Sequence, residues 1–337
     1  MRGVVYLGNR RVEAREFPDP VPGDGEAVVR VRASGICGSD LNPYRAPVGT
    51  NWISGHEPCG EVAALGPGTS GAKVGDRVIV YHYSGCGTCK YCRTGWEQLC
   101  QAPRKTYGFG ENGGNADYLL VPARTLVPLP NELSFEEGAA IACGTGTAYG
   151  ALLRLAVSGR DTLAVFGQGP VGLSATMLAK AMGARVIAVD ISPTRLELAR
   201  ELGADHAIDS RQTDPLEAIR DLTHGEGADA AVDCTGNAEA RAQMVRSVRI
   251  FGSACFVGEG GTVTLNVSPD VIHKRLTIYG SWTFSVTMLG ECARFVVDRG
   301  VPLSRLITHR YRLDEAARAF EDFEGGSVGK SVFVMTE

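Results

Sequence analysis

Thr162-Leu-Ala-Val-Phe166-Gly167-Gln-Gly169-Pro170-Val171-Gly172 is the stretch that decides the fold of this 337-residue chain. A five-residue apolar run ends on glycines spaced G-x-G-x-x-G, and helical periodicity follows over residues 171–182. A second apolar run, 185–189, ends on Asp190, eighteen residues past Gly172. The glycine spacing alone is a weak signal. Strand, glycines, helix, strand and acid in this order are a strong one, because each has a task at a dinucleotide. Gly167, Gly169 and Gly172 let the backbone approach a pyrophosphate at the helix N-terminus, which Pro170 and Val171 open. Asp190 can accept hydrogen bonds from ribose hydroxyls and would repel a 2′-phosphate. Ile191 and Ser192 bring no positive charge, so NAD is favoured over NADP; Arg195 tempers this, although as a helix-surface charge it has a simpler explanation.

Outward from this stretch, residues 135–280 alternate apolar strands with amphipathic helices. Further strands are read at 230–234 and 254–257. A helix at 193–202 has Ser192 as N-cap, Pro193 at its first position and Gly203 beyond its end. That alternation belongs to a parallel sheet covered on both faces. Residues 1–130 read differently, as short strands (27–33, 60–65, 77–81) between Pro/Gly turns. The end of the chain returns to helices at 286–299 and 313–323 and a strand at 331–335. The fold class is therefore α/β, with a β-rich part and a doubly wound part, and the length calls for two domains.

With 34 basic against 38 acidic residues the net charge is −4, and no Lys/Arg stripe marks a nucleic-acid or membrane partner. The most apolar long window, 138–157, is broken by Arg154 and a Gly/Thr-rich run, too interrupted for a bilayer span. No export signal is read in the first residues, so a cytoplasmic location is expected and the ten cysteines point to metal rather than disulfides.

Cys86-x-x-Cys89-x-x-Cys92 with Cys100 eight positions on supplies four thiolates, enough to close a tetrahedron around a structural zinc; an iron–sulfur cluster would use the same set. A second set is more scattered. Gly35-Ile-Cys37-Gly-Ser39-Asp40 packs a thiolate, a hydroxyl and a carboxylate into one Gly-flanked turn, His56-Glu57 precedes a strand, and Cys143 sits in what reads as a Gly-rich turn, 143–147. Cys37, His56 and Cys143 together would leave one coordination position open for water or substrate, as a catalytic zinc requires. Ser39 could pass a proton and Asp40 could orient a neighbouring ligand.

With these elements in place, the chain resembles the zinc-dependent alcohol dehydrogenases of the medium-chain dehydrogenase/reductase superfamily over essentially its whole length. Gly55-His56-Glu57-Pro58-Cys59-Gly60 with Gly66 looks like the family's zinc signature, and Lys73-Val-Gly-Asp-Arg-Val78 matches the segment that follows it. The resemblance implies a GroES-like catalytic domain from residues 1–145 and 282–337, with the structural zinc lobe at 84–102, and a Rossmann domain at 146–281. It implies Cys37, His56 and Cys143 as catalytic zinc ligands, Glu57 (an alternate ligand) and Asp40 behind them, and Ser39 as proton acceptor. It further implies two zinc ions and NAD, an alcohol or carbonyl substrate, and a homodimer or homotetramer. Two departures stand out. Where many relatives carry a relay histidine, this chain has Asn42-Pro43, and Ala142 precedes Cys143 where polyol and threonine dehydrogenases commonly carry an acid, which leans toward an alcohol dehydrogenase site. A polyol or threonine-type dehydrogenase, or a zinc-free NADPH-dependent quinone reductase, are the alternatives. Trp52, His82, Trp282 and Phe284 are candidates to line the substrate pocket.

Overall fold

The computed structural model describes residues 1–335. Two compact units emerge, one from Met1–Gly146, Phe284–Asp298 and the chain from Ile307 on, the other from Thr147–Thr283 with Arg299–Leu306.

The first unit is built on a seven-stranded, mostly antiparallel sheet. Ile307–Tyr311, Lys330–Val334, Glu26–Gly35, Pro58–Leu65, Arg77–Val80 and Leu126–Pro128 lie side by side, and Tyr118–Pro122 also pairs with Glu26–Gly35. Glu26–Gly35 is buried along most of its length, which suits its Val/Ala-rich sequence. Its core gathers Tyr6, Val29, Val31, Phe320 and Phe333 from both ends of the chain. The two ends meet because Val334 pairs antiparallel with Ala33 and Val332 with Gly35.

The second unit holds six parallel strands. Taken across the sheet they are His206–Asp209, Arg185–Asp190, Thr162–Phe166, Ala228–Asp233, Val248–Phe256 and Thr277–Gly280, which numbered along the chain is 3-2-1-4-5-6, the order of dinucleotide-binding sheets. Ala164, Phe166, Ile187, Val189 and Ala231 form its core with Met244 from a covering helix. The helix Pro193–Glu201 is capped as its sequence suggests, Ser192 Oγ accepting from Arg195 N. Among the described residues no helix is long and apolar enough to cross a membrane.

Candidate active site

Strand pairing in the first unit places the scattered set. Ser34 faces Pro58 across the ladder, so Cys37, just past one strand, and His56, just before the other, leave from the same end. Cys37 has extended backbone and opens the 3-10 turn Gly38–Asp40. Cys143 arrives by a route the sequence misrepresents. Residues 143–147 are not a Gly-rich turn: the helix Phe135–Ala140 passes into a π-helical turn, Ile141–Thr145, and on into the helix Gly146–Leu155. Glycine and threonine cost helix stability in isolation, but every residue of the π turn is buried, and packing outweighs that propensity. The wider turn also adds a residue to the helical repeat, a device common where a helix must deliver a side chain.

The ligand atoms of Cys37, His56, Glu57 and Cys143 all lie within 4.8 Å of one another. Asp40, fully buried, fixes the set from behind. Its Oδ2 accepts from Cys37 N at 2.9 Å, and its Oδ1 lies 3.0 Å from His56 Nδ1. That contact holds the proton on Nδ1 and turns Nε2 toward the cluster as a lone-pair donor, the arrangement of a histidine that ligates a metal. The electrostatics agree with a cation site. A hydrogen bond from Cys143 and the nearby His56 bring the Cys37 thiol well below its usual range, and the same thiol contact with burial drives Cys143 well above it. Burial opposes charge on His56, yet Asp40 and Cys37 raise it well above an ordinary imidazole. A divalent ion would displace these protons, since thiolate and neutral imidazole are the ligating forms.

Glu57 brings a partner that sequence reasoning missed. Lys330, 1% exposed at the start of the last strand, forms an ion pair with Glu57 and donates to the Ile36 carbonyl at 2.9 Å. Burial pushes the Glu57 carboxyl up to about 7 despite that ammonium. A Cβ at Gly35 would come within 1.9 Å of Glu57 Oε2, so only glycine fits beside the pair. The available signal was a lysine opening the apolar run Ser331-Val-Phe-Val, but its partner lies far away in sequence.

Ser39 Oγ is 3.5 Å from His56 Nε2, on the cluster side of the ring. Among the expected pocket residues, His82 packs its ring on His56 with centroids 5.1 Å apart, and burial together with His56 holds it neutral. Phe109, not anticipated, lies 4.9 Å from the His56 ring, while Trp52 donates to Gly108 O beside it. Phe284 is instead core: it is fully buried, and its carbonyl accepts from Tyr81 Oη and Gln98 Nε2. Trp282 falls in the second unit and is 39% exposed.

The four-cysteine lobe closes on itself. Sγ–Sγ separations are 3.5 Å for Cys89–Cys92, 3.9 Å for Cys86–Cys92 and 4.0 Å for Cys89–Cys100. A tetrahedron with Zn–S bonds of ~2.3 Å has edges of about 3.8 Å, so the donors fit zinc without rearrangement. Backbone amides of Cys86 and Cys89 donate to Cys100 Sγ and Cys86 Sγ, each at 3.3 Å, and the hydroxyl and amide of Thr88, together with the Cys89 amide, bring the Cys86 thiol down to about 5. All ten cysteines are free of disulfides.

In the second unit Gly167 has φ +88°, and a Cβ on Gly172 would stand 1.7 Å from Gly167 O. A Cβ on Gly169 would meet nothing within 4 Å, which leaves the helix N-terminus open to a phosphate. A cleft of about 500 Å³ opens there, lined by Gly167, Gly169, Asp190, Arg195, Ser210 and Thr235 among others. Asp190 accepts Gln168 N at 2.5 Å and Ser192 N at 2.8 Å, which pins its carboxylate at the cleft wall. The open phosphate cradle and the acid at the next strand end fit a dinucleotide.

A GroES-like unit with a three-ligand cluster and a four-cysteine lobe, next in sequence to a dinucleotide sheet, defines a zinc-binding dehydrogenase. Residues 23–131 match the alcohol dehydrogenase GroES-like domain and residues 170–298 the zinc-binding dehydrogenase domain, and the chain belongs to the zinc-dependent alcohol dehydrogenase family. It is similar to the uncharacterized zinc-type alcohol dehydrogenase-like protein YphC of Escherichia coli K12, 43% identical over 97% of each chain. L-threonine 3-dehydrogenase of Pyrococcus horikoshii is 34% identical over 96% of this chain and 95% of its own. Among solved structures, alcohol dehydrogenase TADH from Thermus sp. ATN1 superposes with a TM-score of 0.92 at 32% identity over the full length of both.

Proposed function

We propose that this chain is an NAD-dependent alcohol dehydrogenase with two zinc ions, one catalytic and one structural. The observation that carries the reading is the convergence of Cys37, His56 and Cys143 around one point in a buried site with Ser39 beside it. A zinc-free reductase has no use for that convergence. When bound, zinc would acidify the substrate hydroxyl and a nicotinamide would serve as hydride acceptor.

The chain's own residues do the rest. Cys37, His56 and Cys143 hold the ion, and Asp40 keeps His56 in the ligating tautomer. Glu57 is an alternate oxygen donor that Lys330 holds in place. Ser39 Oγ takes the hydroxyl proton. Asn42 cannot titrate near neutrality, so the proton passes from Ser39 to water. Asp190 accepts the adenosine ribose hydroxyls and disfavours a 2′-phosphate, which selects NAD even with Arg195 in the same cleft.

The substrate is a primary, secondary or polyhydroxy alcohol. Similarity to a threonine 3-dehydrogenase keeps 1,2-amino alcohols on the panel. Ten free thiols suit a reducing cytoplasm. Thr277–Gly280, the last strand of its sheet, leaves an edge with Ile278 exposed, suited to pairing with a second copy; a monomer at sedimentation equilibrium would contradict this. NADH production over an alcohol panel tests the activity. Wild-type protein should turn over at least one class, with Ser39→Ala lowering kcat by ~10²-fold or more. Undiminished turnover in Cys37→Ser would refute the scheme.

A further inference from the structure

We propose that Arg241 is a positioning residue for the dinucleotide: by neutralising the buried Asp233, it lets that carboxylate shape the wall of the phosphate cradle without repelling the phosphates. The proposal rests on reading the cleft of the second unit as a dinucleotide site. Asp233 is fully buried at the end of its strand, in register with Phe166, the residue before Gly167. Past it the chain turns through Cys234, Thr235 and Asn237, which line the cleft together with Gly167 and Gly169. Arg241 does not line the cleft, so whatever it contributes to the cofactor passes through Asp233.

The turn takes its shape from one carboxylate. Asp233 Oδ1 accepts from Thr235 N at 2.8 Å, from Thr235 Oγ1 at 2.5 Å and from Gly236 N at 3.3 Å. With its hydroxyl held there, Thr235 turns its methyl to Gly167, where a Cβ would stand 2.6 Å from Thr235 Cγ2. An ionised acceptor binds these donors more strongly than an amide would, but its charge then lies one strand from the fingerprint glycines, where a pyrophosphate adds more of the same sign. Like charges are weakly screened inside a protein, so the carboxylate needs a counter-charge. Arg241 supplies it. Its Nε donates to Asp233 Oδ2 at 3.0 Å, its Nη2 donates to the Gly258 carbonyl, and its guanidinium lies 5.8 Å from the centroid of the Phe256 ring. The residue is 7% exposed, so the pair is shielded from water on both sides. The helix Ala238–Ser247 that carries it starts at Asn237, whose Oδ1 accepts from Glu239 N and Ala240 N, so the cleft wall and the counter-charge are set by one continuous piece of chain.

Calorimetric titration of the full chain with ADP-ribose, which carries the two phosphates, and with adenosine, which carries none, separates charge from general loosening. Arg241→Met should weaken ADP-ribose on the order of tenfold and leave adenosine within about twofold of wild type. Adding Asp233→Asn removes the unopposed charge while Asn Oδ1 still accepts from Thr235, and should return ADP-ribose to within about threefold of wild type. A residue that only stabilised the fold would give no such recovery confined to the phosphate-bearing probe. Should Arg241→Met fail to melt cooperatively, Asp233→Asn alone makes the converse comparison. With the guanidinium unopposed, ADP-ribose should bind a few-fold tighter than to wild type and adenosine should be unchanged. Wild-type affinity for ADP-ribose in Arg241→Met, equal losses on both probes, or a double variant no tighter than the single one would overturn the proposal, as would weaker or unchanged ADP-ribose binding in Asp233→Asn. A wild-type protein that does not bind ADP-ribose would instead overturn the dinucleotide reading beneath it.

Discussion

Both oxygens of Asp40 are committed to the cluster, one to the backbone of Cys37 and one to the ring of His56. Ligand identity is thus a matter of single atoms, and so is cofactor choice. Asp190 has two backbone amides on its carboxylate, which fix its position, and in the proposed preference for NAD its charge is the discriminating feature. Asp190→Ser should lower kcat/KM for NAD and raise it for NADP, with Arg195 left as a phosphate partner; a wild-type enzyme that already prefers NADP would contradict this role. At this scale the grouping was legible: Cys37, His56 and Cys143 were singled out by their chemistry and by the family resemblance, and their donor atoms lie within 4.8 Å of one another, while their role as zinc ligands is the proposal. Lys330 could not be singled out, since nothing local distinguishes a lysine that neutralises a buried carboxylate from one that snorkels at a strand end.

Elements were read best where a strong period coincided with punctuation. Thr162–Phe166 and the helix Pro170–Ala181 lie within a residue of where sequence put them, because glycines mark their boundary. The strands His206–Asp209 and Thr277–Gly280 and the helices Pro215–Leu222 and Ala238–Ser247 were not read. Both strands are four residues long and mostly half-buried or exposed, so no apolar run announces them. The helices depend on caps, Asp214 accepting from Leu216 N and Asn237 from Glu239 N, and on burial of single residues such as Ile219. The π turn at Cys143 was hidden because its Gly/Thr composition signals a loop. The lobe 84–102 is different in kind: its helix Lys90–Arg93 spans four residues, and in the proposed reading a structural zinc would hold its shape. Cys92→Ala should therefore lower zinc to about one per chain, judged against the closed tetrahedron the four thiolates form, and open the lobe to proteolysis. Unchanged zinc content and protease resistance in that variant would show that the lobe stands without a metal.

For the whole molecule, the pairing of Lys330–Val334 with Glu26–Gly35 joins stretches that begin some three hundred residues apart, which no local pattern announces. The two-domain organisation was expected from length and pattern, whereas the return of Arg299–Leu306 to the second unit was not anticipated. Each unit carries a carboxylate that ties its sheet to a cation. Burial opposes ionisation of Asp117 and Asp205, but Arg2 and Lys180 respectively hold both below the usual carboxylate range. A depressed folded pKa stabilises above the unfolded value and loses that contribution as pH falls, so melting temperature should decline on acidification below about pH 4. Asp117→Asn and Asp205→Asn should each flatten that decline; an acid limb as steep as wild type in the double variant would assign it to other groups.

The central claim is that Cys37, His56 and Cys143 share one zinc ion while Cys86, Cys89, Cys92 and Cys100 share another. Anomalous diffraction at the zinc edge from crystals of the purified holoenzyme tests this most directly. The account predicts two peaks per chain, one within bonding distance of Cys37 Sγ, His56 Nε2 and Cys143 Sγ and one at the centre of the four thiolates. A single peak in the lobe, with no scatterer beside His56, would contradict it.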